Sequence, residues 1–204
     1  EKFKRKYSIE ISYYKGNKIG LDKANIFLLE KSRGEFIWWL SDDDILVNGG
    51  IKEVVKVIKK YSKVNYIFVN FGYGSLSNLA VSREDGLFKD RNEVLCKLGT
   101  SIGLLSTYIL RRSVAITGIE YGRKNSHGFS FALTAILFWV LTQPGKSYFL
   151  KGPYILNKPT TVDEIKDLVI NRKIENLGFL VYGIYFHDAL YGLKSSFDKW
   201  AVKK

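Results

Sequence analysis

Between Gly34 and Phe71 two short apolar runs, "EFIWWL" and "VNYIFVNF", flank a segment with helical periodicity. An unbroken apolar run of this length, unlike an alternating one, predicts a strand covered on both faces. The intervening "GIKEVVKVIKKYS" places Ile51, Val54, Val55 and Ile58 at helical spacing and its lysines elsewhere, which predicts an amphipathic helix with a solvated basic face. Upstream, "YSIEISYY" (Tyr7–Tyr14) alternates as a half-buried strand should. "KGNKIG" then reads as a loop, and "LDKANIFLLEKS" as a helix ended by Arg33-Gly34. Strand, helix, strand, helix, strand is the order that builds a parallel α/β sheet.

After residue 72 the pattern loosens. "RNEVLCKL" and "LSTYILRRS" read as short helical pieces, Phe129–Leu141 as a longer apolar helix, and "KSYFLKGPYIL" as two short strands or a strand and turn. "TVDEIKDLVINRKIE" opens with a capping box, Thr161 to Glu164. The aromatic tail from Gly178 to Trp200 reads as a further helix, equally suited to core packing, an oligomer contact or a membrane interface. The longest apolar segment has 13 residues, too short for the roughly 20 that a bilayer span needs.

Composition narrows the functional classes. With 46% hydrophobic residues and three prolines the 204-residue chain can build a sizeable core. One cysteine, Cys96, excludes an internal disulfide and a thiolate metal cluster, and points to a reducing, cytoplasmic setting. The formal charge of +12 is open to three readings: a nucleic-acid binder, a protein at an anionic membrane or on phosphorylated substrates, or lysines that only confer solubility.

Against that basic background, "SDDDIL" sets Asp42, Asp43 and Asp44 at the carboxyl end of an apolar strand. Ligands of open α/β sheets bind at that end. Adjacent carboxylates repel unless a cation neutralises them, and hard oxygen ligands suit Mg²⁺ or Mn²⁺, which usually bind a substrate's phosphates as well. The alternative is helix capping, which accounts comfortably for one acid, Asp44, ahead of a helix beginning near Gly50.

The ordered set Asn17, Gly20, Asn25, Gly34, Phe36, the acid triplet, Ile45-Leu46 and Gly49 or Gly50 resembles the central block of a family 2-type glycosyltransferase of the GT-A fold. "SDDDIL" is most similar to the O-antigen, abequosyltransferase-like branch, although Ser41 stands where several members have Asp. The resemblance implies a GT-A-like, mostly parallel nucleotide-binding sheet flanked by helices, over residues 1–157, with a helical acceptor-side extension over 158–204. It implies a nucleotide-diphosphate-sugar donor, a glycan or lipid-linked acceptor and a divalent metal. Asp43 is then the leading metal ligand, Asp42 a ribose or metal contact, and Asp22 and Asn25 lie near the donor's base. For Asp22, turn chemistry is an equal alternative.

A general base for the acceptor hydroxyl is sought among His127, Glu120 and Asp85. His127 also reads as a metal ligand or as a helix-start residue. Ser101 and Ser106 are acceptor-side candidates. The family's first strand and helix have no counterpart before Tyr7, and the chain starts with Glu, so an upstream segment is expected. The site is expected in the cytoplasm, at the inner face of the cell membrane if the tail leans on lipid. The competing reading is a nucleic-acid-binding module without catalytic activity. Three acids at a strand end oppose it, because they repel phosphate when no metal is bound. A nucleotidyltransferase is a third reading, but no glycine-rich, cationic phosphate loop after a first strand is visible.

Overall fold

The computed structural model describes residues 10–15, 19–125, 131–157, 190 and 192–197. The helix predicted after Thr161, most of the aromatic tail and both histidines lie outside them; within the tail, Leu190, Leu193 and Phe197 are buried in the core and Lys194–Ser196 form a 3₁₀ turn. Six strands are present among the described residues: β1 (Phe36–Trp38), β2 (Asp44–Leu46), β3 (Val64–Tyr73), β4 (Gly86–Leu87), β5 (Tyr108–Arg111) and β6 (Lys146–Asn157). The helices are α1 (Leu21–Lys31), α2 (Gly50–Lys60), α3 (Arg91–Leu98), α4 (Arg112–Ala115), α5 (Ile119–Asn125) and α6 (Ala132–Thr142), with short 3₁₀ turns between several of them.

One sheet holds all six strands in the order β1-β5-β3-β6-β2, with β4 also paired to β6. Only β3 and β6 are adjacent and parallel, while β5 runs antiparallel between β1 and β3, and β2 and β4 run antiparallel to β6. The sheet is therefore mixed, not mostly parallel. β5 is the strand that local pattern misses. "YILR" looked helical, yet a 3₁₀ turn at Leu105–Thr107 delivers it between two neighbours far away in sequence.

Two further expectations are corrected. Residues 10–15 carry no regular secondary structure and are exposed, Tyr13 strongly so, and no strand pairs with them among the described residues. β1 is half-buried rather than covered on both faces, because it pairs only with β5 among the described residues.

The core gathers on the central strands. Residues 64–72 of β3 are all buried, and Phe68 stacks on Phe149 of β6 at 5.6 Å with Phe88 edge-on behind it. α6, apolar almost all round, packs against β3, α1 and α5, as a helix without a polar face must. Gly122 admits its close approach, since a Cβ there would lie 2.7 Å from Ile136. β6 serves two neighbourhoods along its length. Residues 146–150 pair with the start of β3 and with β4; residues 155–157 pair with the end of β3 and with β2. This second stretch carries the chain back to the acid triplet.

Candidate functional site

The acidic segment forms a turn whose two ends are fixed by residues distant in sequence. β1 ends at Trp38 and is followed by Trp39, and the two divide the work: Trp39 is buried in the core, and the Trp38 indole N–H donates to the carbonyl of Ser106 at 2.8 Å. Three residues on, the backbone N–H of Ser41 donates to Ser106 Oγ at 2.9 Å. Ser106 itself is fully buried. At the far end Asp44 enters β2, opposite Asn157 of β6, whose side-chain amide donates to Asp44 Oδ1 at 2.8 Å. Between these clamps Asp42 and Asp43 are exposed.

Asp44 does not cap α2. Its backbone is strand, and the N-cap of α2 is Gly49 with φ of 89°, a left-handed conformation that favours glycine. Asp44 Oδ2 is buried without a hydrogen-bond partner. The orphaned Asp44 oxygen and the exposed Asp42 and Asp43 carboxylates are the oxygen groups here that could contribute ligands to a hard cation. No group of three His, Cys, Asp or Glu side chains that could hold a metal is assembled among the described residues. A cation here would therefore share its coordination with water and a substrate's oxygens, as Mg²⁺ commonly does.

An open cleft of about 580 Å³ adjoins the turn through Asn157. Tyr73, Asn78, Leu104 and Ser101 contribute to its walls. The tip of the β3 wall is a tight turn in which Tyr73 and Asn78 are bonded both ways, N–H of Tyr73 to the Asn78 carbonyl at 2.8 Å and the Asn78 amide to the Tyr73 carbonyl at 3.1 Å. The Gly74 N–H adds a bond to the Asn157 carbonyl at 3.0 Å. Gly72 makes the turn sterically feasible, because a Cβ there would lie 2.2 Å from the Ser75 carbonyl oxygen.

The remaining sequence candidates are dispersed. Asp22, buried in the first turn of α1, accepts from the Ala132 N–H at 2.9 Å and so meets the positive end of α6. Asn25 lies on the same helix, also buried. Ser101 faces the cleft, whereas Ser106 spends its hydroxyl on Ser41. Glu120 is exposed on α5 and ion-pairs with Arg123, which also holds Glu30 at 2.5 Å, so its partners are on α1 and α5 and not around the acidic turn. Asp85 accepts from the Lys151 N–H at 2.5 Å. His127 lies outside the described residues.

Arg111 is fixed by Glu35 at 2.6 Å and by the carbonyls of Ser62 and Val64, with its guanidinium over the Phe36 ring at 4.5 Å. Sequence reasoning missed Asn157 altogether. Nothing local marks an asparagine at the end of an apolar strand as the partner of an acid 113 positions earlier.

S. aureus TarS, residues 1–349, a GT-A-like glycosyltransferase, superposes with a TM-score of 0.56 over 93% of this chain at 16% identity. The fold is similar to that of TarS. The chain spans 56% of the length of the TarS structure it matches. No protein-family model and no curated protein matches the sequence.

Proposed function

We propose that this chain is the core of a glycosyltransferase that moves a sugar from a nucleotide-diphosphate donor to a glycan or lipid-linked acceptor. The observation that carries the reading is the acidic turn: two exposed carboxylates, clamped at both ends, at the carboxyl end of β1 and beside an open cleft. The similarity to TarS supports a transferase fold; the chemistry is argued from the turn.

Asp43 is the proposed metal ligand, with Asp42 on the metal or the donor's ribose. Asp43 and Asp42 would hold Mg²⁺ or Mn²⁺, which would supply positive charge to offset the charge developing on the departing nucleoside diphosphate. The chain's own part is positional. Ser106 and Asn157 hold the turn so that its carboxylates need little reorganisation when substrate arrives. Asp44, tied to Asn157, supports the turn from below. Asp22 and Asn25, buried on α1 with Asp22 accepting from the Ala132 N–H, are the proposed donor-base residues. The cleft, with Ser101 on its wall, is the proposed acceptor side. His127 is the preferred general base, and Glu120, paired to Arg123, is the weaker candidate. We assign residues 1–157 to the catalytic unit and 158–204 to a C-terminal extension, and place the reaction in the cytoplasm, at the inner face of the cell membrane if the tail leans on lipid. No helix among the described residues is long and apolar enough to cross a membrane.

The test is release of nucleoside diphosphate from a panel of UDP-, GDP- and dTDP-sugars with Mn²⁺, for the wild-type chain and Asp43→Ala. Metal-dependent release from one donor that the variant loses supports the proposal. Release that is indifferent to metal and to Asp43 contradicts it.

A further inference from the structure

The outward face of α2 carries the solvated lysines that its sequence predicts, together with two apolar residues that its spacing assigned to the core. Gly50, Val54 and Val57 point inward, with Gly50 so close to Tyr154 and Leu46 that a Cβ would meet them at 3.0 and 3.2 Å. This sets the helix's rotation. It turns Ile51 and Val55 outward, 60% and 40% exposed, although their spacing suggested a core face. The exposed positions are 51, 52, 55, 56, 59 and 60. They make two adjacent columns at four-residue spacing, Ile51–Val55–Lys59 and Lys52–Lys56–Lys60. The single acid of the helix, Glu53, pairs with Lys56 at 2.6 Å. Lys52, Lys59 and Lys60 have no acidic partner among the described residues, and Lys63 is exposed in the turn that follows.

We infer that this face docks on an anionic lipid surface. A short apolar column flanked by exposed lysines, of which Lys52, Lys59 and Lys60 have no acidic partner among the described residues, suits a helix lying in the interface plane, with its aliphatic side chains at the headgroup boundary and its ammonium groups among anionic headgroups. At 11 residues, or about 16 Å, α2 lies on a bilayer and does not cross it. Nucleic acid is the poorer occupant. The cations on this face are all lysine, with no guanidinium to grip a phosphate bidentately, and no aromatic ring projects from it to stack on a base. In the chain only β2 and three residues separate the acidic turn from α2. The inference rests on α2 alone and does not depend on the transferase reading.

The experiment is co-sedimentation of the full chain with phosphatidylcholine vesicles, pure or containing roughly one-third phosphatidylglycerol. The wild-type chain is expected to bind the anionic vesicles and to be released by salt. The variants Lys52→Glu/Lys60→Glu and Ile51→Ser/Val55→Ser should each lower partitioning by about tenfold or more. Their substitutions are on the exposed face, so circular dichroism should be unchanged. A Val55→Trp chain should show blue-shifted emission on anionic vesicles only. Binding that persists in both double variants, or that is equal on neutral vesicles, overturns the inference. So does binding to a labelled single-stranded oligonucleotide, lost in Lys52→Glu/Lys60→Glu, with none to vesicles.

Discussion

Ser106→Ala isolates one clamp of the acidic turn. The substitution keeps the backbone carbonyl that accepts the Trp38 indole and removes only Oγ, the acceptor for the Ser41 N–H. Ser106 is fully buried, but Ser41 is half-buried, so water can partly replace the lost acceptor. The cost should therefore be that of one neutral hydrogen bond with incomplete resolvation, about 1–1.5 kcal/mol. With a urea m-value of roughly 3 kcal/mol/M for a chain of this size, the midpoint should fall by about 0.3–0.5 M at constant slope. Urea unfolding followed by tryptophan emission reads this directly. The same variant should weaken metal-dependent donor binding more than the stability loss alone accounts for, because the turn loses its anchor at Ser41. An unchanged midpoint together with unchanged donor binding would show that Ser106 does not hold the turn.

Tyr66→Phe should stabilise the protein. The Tyr66 hydroxyl is fully buried with no hydrogen-bond partner; burial, reinforced by Tyr108, pushes its pKa well above the usual tyrosine range. Removing a buried orphan relieves roughly 1 kcal/mol, or about 2–4 °C in Tm by calorimetry, and a loss of stability would mean that the hydroxyl has an unseen partner. Glu93 governs part of the acid stability. Burial pushes its carboxyl up, but the Lys89 N–H and the Arg83 guanidinium outweigh that and hold it below its ordinary value. A depressed carboxylate contributes stability that is complete above its unfolded pKa, near 4.3, and is lost as pH falls through the lower folded value. Glu93→Gln should cost about 1–2 kcal/mol at pH 7 and flatten the decline of stability below roughly pH 4.5. An unchanged acid limb would remove Glu93 from that role.

What the sequence made legible was the local part of the fold. α2 and β3 follow from runs and periodicity within a few residues, whereas the acid triplet is divided, with Asp42 and Asp43 in the turn after β1 and Asp44 in β2. β2, β5 and the clamps were not legible, because each is defined by a partner far along the chain: Asp44 by Asn157, Ile37 by Leu110, Ser41 by Ser106. A three-residue strand such as β2 has too few positions to show a period. The rotation of α2 was misjudged for a related reason. Spacing alone allowed Ile51 and Val55 into the core face, and only the contact of Gly50 with Tyr154 on β6 turned them outward. Sequence alone leaves Asp22 open as a turn residue or a donor contact. Its use as the partner of the α6 N-terminus required knowing that α1 and α6 are neighbours.

The most direct measurement of the central claim is thermal unfolding with the preferred nucleotide sugar, with and without Mn²⁺, for the wild-type chain and Asp43→Ala. At a free donor concentration of about 100 times Kd, binding adds roughly 2.7 kcal/mol, a rise of about 5–11 °C for a chain of this size. The account predicts that rise only when metal and donor are both present, and none in Asp43→Ala. A donor-induced rise of the same size without metal, or one that survives Asp43→Ala, would contradict it.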